Sequence, residues 1–355
     1  MESIETEGAG KLRDNGIRIG VIGCGHWGPN HIRNFSSLPG SEVIMCCDLN
    51  KDRLKAMQEV YRSIRVTKNY VDIVENKEID GVVVATPTST HYQIVKDCLT
   101  NGKDVLCEKP LSISSCESEE LIKMAEAEGR VLMVGHVFVF NPGIQWAKEY
   151  INNGDMGGIY YLHSQRTNLG PIRNDVNVIW DLASHDISIV SFLLNSGPER
   201  VTAKGESFLQ DGKEDVAFIS LTYPEKILVN IHVSWLDPQK VREITIVGDK
   251  KMVVWNDLSN IAPIRVYDKG VIREVYYENF GEFQLMLRDG DILIPKINLV
   301  EPLKNQSNHF LDCVRTRKRP ITDGTEGLNV VKVLSAIQRS MEKNGQSIHI
   351  GSEGK

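Results

Sequence analysis

Three glycines, Gly23, Gly25 and Gly28, follow the apolar run 17–22, and Asp48 stands twenty residues beyond the last of them at the end of a second apolar run. Glycines at this spacing, directly after a strand and opening a helix, allow a tight turn, a close backbone approach to a pyrophosphate and close helix–sheet packing. The phosphates then rest on free helix N-terminal amides. An acid at that distance accepts hydrogen bonds from both hydroxyls of an adenosine ribose and repels a 2′-phosphate. The pattern predicts a dinucleotide site that prefers NAD to NADP, although Lys51 and Arg53 stand close enough to Asp48 to weaken the exclusion. His26 and Trp27, inside the glycine loop, join the expected cofactor set. So do Thr86, Pro87 and His91, which follow a buried-strand pattern and open the next helix, although packing and capping would explain these three as well.

Two further constellations could act on a substrate. Glu108-Lys109-Pro110 follows the apolar run 104–107, at the carboxyl end of a strand where open α/β sheets bind ligands. The proline restricts Lys109 to extended angles, and an ammonium fixed there can stabilise a developing alkoxide. The tripeptide alone also fits a surface lysine before a turn. Asp181 and His185 are four apart on an expected helix and so face the same way. Histidine is suited to accepting a hydroxyl proton near neutrality, and a carboxylate beside it can orient it. An ordinary helix pair, with Asp181 favoured by the helix dipole, accounts for the same spacing. His136 ends the last strand of the first domain, where a substrate contact and a satisfied buried histidine are both reasonable.

These residues need scaffolds, and 355 residues with 41% hydrophobic content suffice for two domains. Apolar runs at 17–22, 43–47, 64–66, 81–85, 104–107 and 131–135 alternate with helical segments at 30–38, 52–61, 70–75, 91–99 and 116–128. That alternation predicts a doubly wound parallel sheet over 16–137, a Rossmann domain, behind a flexible leader at 1–15. From 138 to 300 a helix (144–152), a strand (159–166), a helix from about Asp181 and six further strands (201–207, 216–223, 227–235, 241–248, 252–256 and 264–268) predict an α+β domain on an open, mainly antiparallel sheet. Residues 301–355 return to helices, at 308–315 and 327–342, expected to pack back at the domain junction.

Composition narrows the class further. A net charge of −6 (41 basic, 47 acidic residues) gives no basic field for nucleic acid, and no apolar stretch is long enough to span a bilayer. Seven cysteines without C-x-x-C spacing indicate neither a disulfide framework nor a metal site and fit a reducing cytoplasm. An open sheet face needs cover, so a homodimer or homotetramer through the C-terminal sheet is expected.

The glycine motif, Glu108-Lys109-Pro110, Gly135-His136 and the Asp181-x-x-x-His185 segment, in this order, resemble the Gfo/Idh/MocA oxidoreductase family. The resemblance spans roughly residues 17–349 and implies NAD(P)-dependent oxidation of sugars or polyols. It assigns Lys109 to substrate and cofactor contact, Glu108 to the cofactor set, and Asp181 and His185 to the reacting hydroxyl. Relatives often carry glycine where this chain has Ala183. The run from Arg166 to Asp181 is similar to the sugar-nucleotide branch, the UDP-N-acetylglucosamine and UDP-N-acetylglucosaminuronate 3-dehydrogenases. This adds Arg166, Asn168 and Arg173 to the substrate set with His136. Guanidinium forks suit diphosphate or carboxylate, and equally they suit structural bridges to Asp175 or Asp186. Two alternatives stay open: a dehydrogenase of free polyols or aldoses, as in the inositol dehydrogenases, and a non-catalytic NAD sensor.

Overall fold

The computed structural model describes residues 16–273 and 285–351, and the expected leader at 1–15 lies outside the described residues. The chain divides into two compact units. The first comprises residues up to Leu111, Glu117–Gly135 and Gln306–Gly324; the second comprises Ser112–Cys116, His136–Asn305 and the chain from Thr325 onward. The C-terminal segment is thus shared out, with 306–324 folding in the first unit and the remainder in the second.

In the first unit, β1 (Ile17–Ile22), β2 (Ser41–Cys47), β3 (Arg65–Thr67), β4 (Gly81–Val84), β5 (Asp104–Cys107) and β6 (Leu132–Val134) form one parallel sheet in the order β3-β2-β1-β4-β5-β6. This is the doubly wound order expected of a Rossmann domain. Near-continuous Val, Ile, Leu and Cys runs suit these strands because a parallel sheet is covered on both faces, and β4, β5 and β6 are buried throughout. The helices are α1 (Gly28–Ser37), α2 (Lys51–Val60), α3 (Val71–Val74), α4 (His91–Thr100) and α5 (Ser115–Ala127). Asn50 caps α2 by accepting from the amides of Asp52 and Arg53. In-register pairing of Ile22 with Cys47 and Val84, and of Val84 with Cys107, brings the ends of four strands to one edge. Gly23, Asp48, Ala85 and Glu108 are the residues that follow those ends.

The second unit contains α6 (Pro142–Asn152), β7 (Ile159–Leu169), α7 (Ser184–Leu194), β8 (Arg200–Glu206), β9 (Val216–Thr222), β10 (Leu228–Ser234), β11 (Leu236–Gly248), β12 (Met252–Asn256), β13 (Ile264–Arg273) and β14 (Leu285–Leu293). The helix α8 (Pro302–Thr316), whose residues from Gln306 onward belong to the first unit, precedes α9 (Gly324–Glu342) and β15 (Ile348–His349). Nine strands form one sheet, β14-β13-β12-β11-β7-β10-β9-β8-β15. All neighbouring pairs are antiparallel except β7 with β10, which run parallel. Alternation sends Val229, Ile231 and Val233 of β10 into a core shared with Ile187, Val190 and Leu334, while Tyr161, Phe218 and Leu228 are exposed. Among the described residues, no helix is long and apolar enough to cross a membrane, and no His, Cys, Asp or Glu cluster suits a metal ion.

The structure extends the sequence expectation in several places. β11 begins at Leu236 and β13 runs to Arg273, both longer than their apolar alternation, because backbone pairing continues through polar residues. β14 was not expected, since Arg288, Asp289, Gly290 and Asp291 break its pattern. β15 is two residues, below any pattern length.

Candidate active site

The glycine loop of the first unit fits a dinucleotide on steric grounds. A side chain on Gly23 (φ +98°) would stand 2.4 Å from the carbonyl oxygen of Ala85, and one on Gly28 would stand 1.9 Å from the carbonyl oxygen of Gly23. Loop and helix start are therefore pressed together as closely as backbone permits, with Gly25 open toward Arg53. Trp27 is the N-cap of α1 without a side-chain cap, and His26 meets its ring edge-on at 5.4 Å. Asp48 is fixed by two backbone amides, Cys24 N–H to Oδ2 and Asn50 N–H to Oδ1, each at 2.8 Å. The Arg53 guanidinium lies 3.5 Å from Oδ2.

Glu108 has a partner that the sequence did not suggest. His31, three residues after Gly28 and on the buried face of α1, hydrogen-bonds Glu108 Oε1 at 2.9 Å. The Lys109 amide donates to the other oxygen at 3.3 Å. Burial is the largest influence on this carboxyl and raises its pKa, but the hydrogen bond from His31 and the Lys109 charge together prevail and hold it below its ordinary value. Gly135 packs closely here, since a side chain would come within 3.2 Å of Glu108 and the carboxylate would have to shift. The pair ties the helix of the glycine motif to the strand end that carries Lys109.

His91 needs a correction. It was expected to touch cofactor, but it is 1% exposed and both ring nitrogens face backbone carbonyls, Pro110 O at 2.8 Å and Thr86 O at 2.9 Å. At the first residue of α4 its ring therefore joins the Thr86-Pro87 turn to the segment after Lys109. The turn is further held by the Thr90 hydroxyl, which donates to Pro87 O and is hydrogen-bonded to the Thr86 hydroxyl.

In the second unit the helix expected at Asp181 opens with a π turn, Ile179–Ala183, before α7 begins at Ser184. Asp181 and His185 are therefore not a regular α-helical pair, and such wider turns recur at functional sites. The Asp181 carboxylate accepts from Arg173 Nη1 at 3.1 Å and from the indole of Trp235 at 3.3 Å. His185 is buried, and its ring meets Phe138 edge-on at 4.8 Å. His136 is buried at the N-terminus of a short 3-10 turn that ends at Phe140. Asn168, near the end of β7, donates to the carbonyl of Gly170 and shapes the turn into the following loop.

The two arginines differ. Arg166 is 2% exposed, its Nε and Nη2 donating to Asp186 at 2.8 and 3.1 Å while its guanidinium stacks over Phe138. The bridge to Asp186 that the sequence left open is thus the arrangement the fold contains. Arg166 shares the inward phase of β7 with Leu162 and Ser164, and Ser164 completes the Asp186 shell. Burial and the pairing with Asp186 commit the Nε–Nη2 edge of this guanidinium to the fold. Arg173 is part-exposed, forked onto Asp175 through Nε and Nη2 and linked to Asp181 through Nη1. Three of its five N–H groups are engaged by these contacts, so an anion can still be met.

The model for the NAD-binding Rossmann fold of Gfo/Idh/MocA oxidoreductases matches residues 17–136, and the model for the C-terminal domain of the same family matches 144–254. The chain belongs to the Gfo/Idh/MocA oxidoreductase family. A nicotinamide dinucleotide is the cofactor that this family's first domain holds, and the glycine loop and Asp48 fit one. Within the family, the chain is similar to the oxidoreductase YrbE of Bacillus subtilis, 28% identical over 58% of this chain and 64% of that one. Inositol 2-dehydrogenase 2 of Paenarthrobacter aurescens is 30% identical over 61% of this chain and 68% of its own. UDP-N-acetylglucosamine 3-dehydrogenase of Acidithiobacillus ferrooxidans is 26% identical over 92% of this chain and 97% of its own. A crystal structure of that enzyme superposes with a TM-score of 0.79 over 93% of this chain and 99% of that one, at 25% identity.

Proposed function

We propose that this family member is an NAD-preferring dehydrogenase that oxidises a secondary ring hydroxyl, at C3, of a UDP-linked N-acetylated sugar or its uronate to a ketone. The observation that carries the substrate choice is the likeness to UDP-N-acetylglucosamine 3-dehydrogenase, which runs through both units and nearly the whole of both chains. The part-exposed Arg173 on the loop after β7 supports it, because a guanidinium with free N–H groups suits a diphosphate or a carboxylate.

Bound NAD supplies the acceptor for the hydride that leaves the carbinol carbon. The hydroxyl proton must leave as well, and His185 takes it on an imidazole nitrogen. The Lys109 ammonium stabilises alkoxide character on the hydroxyl oxygen as the proton departs. Asp181, held by Arg173 and Trp235, has the role of orienting His185. General acid–base help of this kind is worth about 10²–10⁴ in rate.

A free polyol or aldose is the alternative substrate. It is favoured by Arg166, which is buried with its Nε–Nη2 edge on Asp186, and by the inositol dehydrogenases among the relatives. Product identity separates the two. UDP-N-acetylglucosamine, its C6-oxidised form, myo-inositol and glucose are each offered with NAD, and the new carbonyl is located by NMR or by trapping. Turnover of the sugar nucleotides at C3 is the expected result; turnover of the free polyols alone would refute the sugar-nucleotide assignment. No NADH from any of them, with NAD bound, would favour a sensor. A second copy of the chain is the occupant proposed for the sheet face bearing Tyr161, Phe218 and Leu228, and light scattering of the purified protein tests whether it is a dimer or tetramer.

A further inference from the structure

The turn between β2 and α2 sets a cation directly against the acid that reads the adenosine ribose. Asp48 cannot swing away, because Cys24 N–H and Asn50 N–H each hold one of its oxygens at 2.8 Å and its side chain is 9% exposed. Arg53 is the opposite case: its side chain is 54% exposed and makes a single 3.5 Å contact with Asp48 Oδ2. Its Nη1 also lies 3.7 Å from the place a side chain on Gly25 would occupy, so the guanidinium borders the open side of the glycine loop. Lys51, the first residue of α2, adds a second positive charge on the same exposed turn.

A carboxylate offers about four lone-pair directions, and here two are taken by backbone amides and one faces Arg53. A ribose diol that needs two of them must displace Arg53. A ribose carrying a 2′-phosphate brings its own acceptors to the displaced guanidinium, and an arginine fork meets a phosphate in two parallel hydrogen bonds. We infer that Asp48 and Arg53 form a dual reader in which Asp48 takes the ribose hydroxyls of NAD and Arg53 swings outward to take the 2′-phosphate of NADP, so that both cofactors bind. Arg53 is the residue that limits the preference for NAD. The inference rests on the dinucleotide reading of this unit and deepens its cofactor choice.

Calorimetric titration of the full chain with NAD and with NADP tests it without any substrate. The unaltered protein should bind NADP within roughly a hundredfold of NAD. R53A should move the ratio of the two dissociation constants toward NAD by roughly tenfold or more, the loss expected for a charge-assisted hydrogen bond. D48N should move the ratio the other way, because it removes the charge that opposes the phosphate. A ratio that stays within about threefold in R53A, or an unaltered protein that binds NAD but shows no NADP binding at millimolar concentration, would overturn the inference. If NAD itself fails to bind, the dinucleotide reading falls and the dual reader with it. Adenosine 2′-monophosphate against adenosine 5′-monophosphate repeats the comparison with the phosphate position as the variable, and the same R53A response is expected for the 2′ isomer.

Discussion

Replacing His31 with leucine removes the N–H that Glu108 accepts and changes the volume little. His31 Nδ1 is buried with no hydrogen-bond partner, which places the proton on Nε2, where it faces Glu108 Oε1 at 2.9 Å. The interaction is then a hydrogen bond to a charged group, worth about 1.5–3 kcal/mol, and its loss leaves a buried carboxylate with one long backbone bond. Breaking a buried pair by removing one partner has cost about 3–5 kcal/mol elsewhere, so a loss of about 3 kcal/mol is expected at pH 7. In the native protein the Glu108 pKa is depressed, so its contribution is present above the unfolded carboxyl value of roughly 4.3 and is lost as pH falls through the folded value. In His31→Leu, burial is no longer outweighed and the pKa shifts upward, so the variant regains stability as the carboxyl protonates on acidification. The difference between the two proteins should therefore be largest near neutrality and shrink as the pH falls toward the depressed folded value of Glu108. Urea unfolding followed by circular dichroism at pH 7 and at pH 4 measures it. The double variant His31→Leu with Glu108→Met should recover most of the loss, since an apolar pair of similar volume avoids the buried charge. A loss below about 1 kcal/mol, or one equal at both pH values, would refute this account of the pair.

Other consequences are checked separately. Gly28→Ala should abolish NAD binding, measured by calorimetry, while the sheet remains folded by circular dichroism, because its methyl would collide with the Gly23 carbonyl and force the loop open. Lys109→Met and His185→Ala should each lower kcat by about a hundredfold or more with NAD affinity little changed; near-native kcat in His185→Ala from pH 6 to 9 would show a packing role instead. Arg166→Met should destabilise the second unit by about 3 kcal/mol in urea, with the loss relieved by Asp186→Leu, rather than raise KM selectively. Arg173→Ala should raise the KM of a sugar nucleotide by about tenfold or more and leave that of a free polyol nearly unchanged.

Much of the first unit was legible because its strands are buried on both faces and bounded by turns, so an uninterrupted apolar run and a helix start mark each one. The glycine loop and Asp48 could be placed because their spacing is fixed by local geometry. The His31–Glu108 pair could not, since 77 residues separate its members and only the fold joins them. A weak signal was present: His31 lies on the α1 stripe of Ile32 and Phe35, where a polar side chain needs a partner. The role of Arg166 was equally recoverable in retrospect. It is in phase with Leu162 on β7, and Asp186 stands just before the apolar series Ile187, Ile189, Val190, Phe192 and Leu193, so each charge called for the other. The π turn at Ile179–Ala183 left no mark in periodicity, because one widened turn shifts the helical phase too little to read. The Trp235 indole reaches Asp181 across a large sequence separation, because β10 ends beside the start of the loop after β7.

That last meeting follows from the one parallel pair in the nine-stranded sheet. Since β7 and β10 run the same way, their ends emerge together, and Gly170 N–H bonds to Trp235 O at 3.0 Å. The segment from Gly170 to Val178 is then moored at Asn174 by Gln210 and at Val178 by the carbonyl of Glu214, with no strand of its own. It behaves as a cassette between fixed posts: loops of other lengths and charges could be grafted between Gly170 and Val178 while the sheet, the glycine loop and Lys109 stay as they are. On the proposed reading, in which this loop meets the substrate, a lineage or a designer could vary specificity through one short stretch of sequence while keeping Arg173 as the support of Asp181.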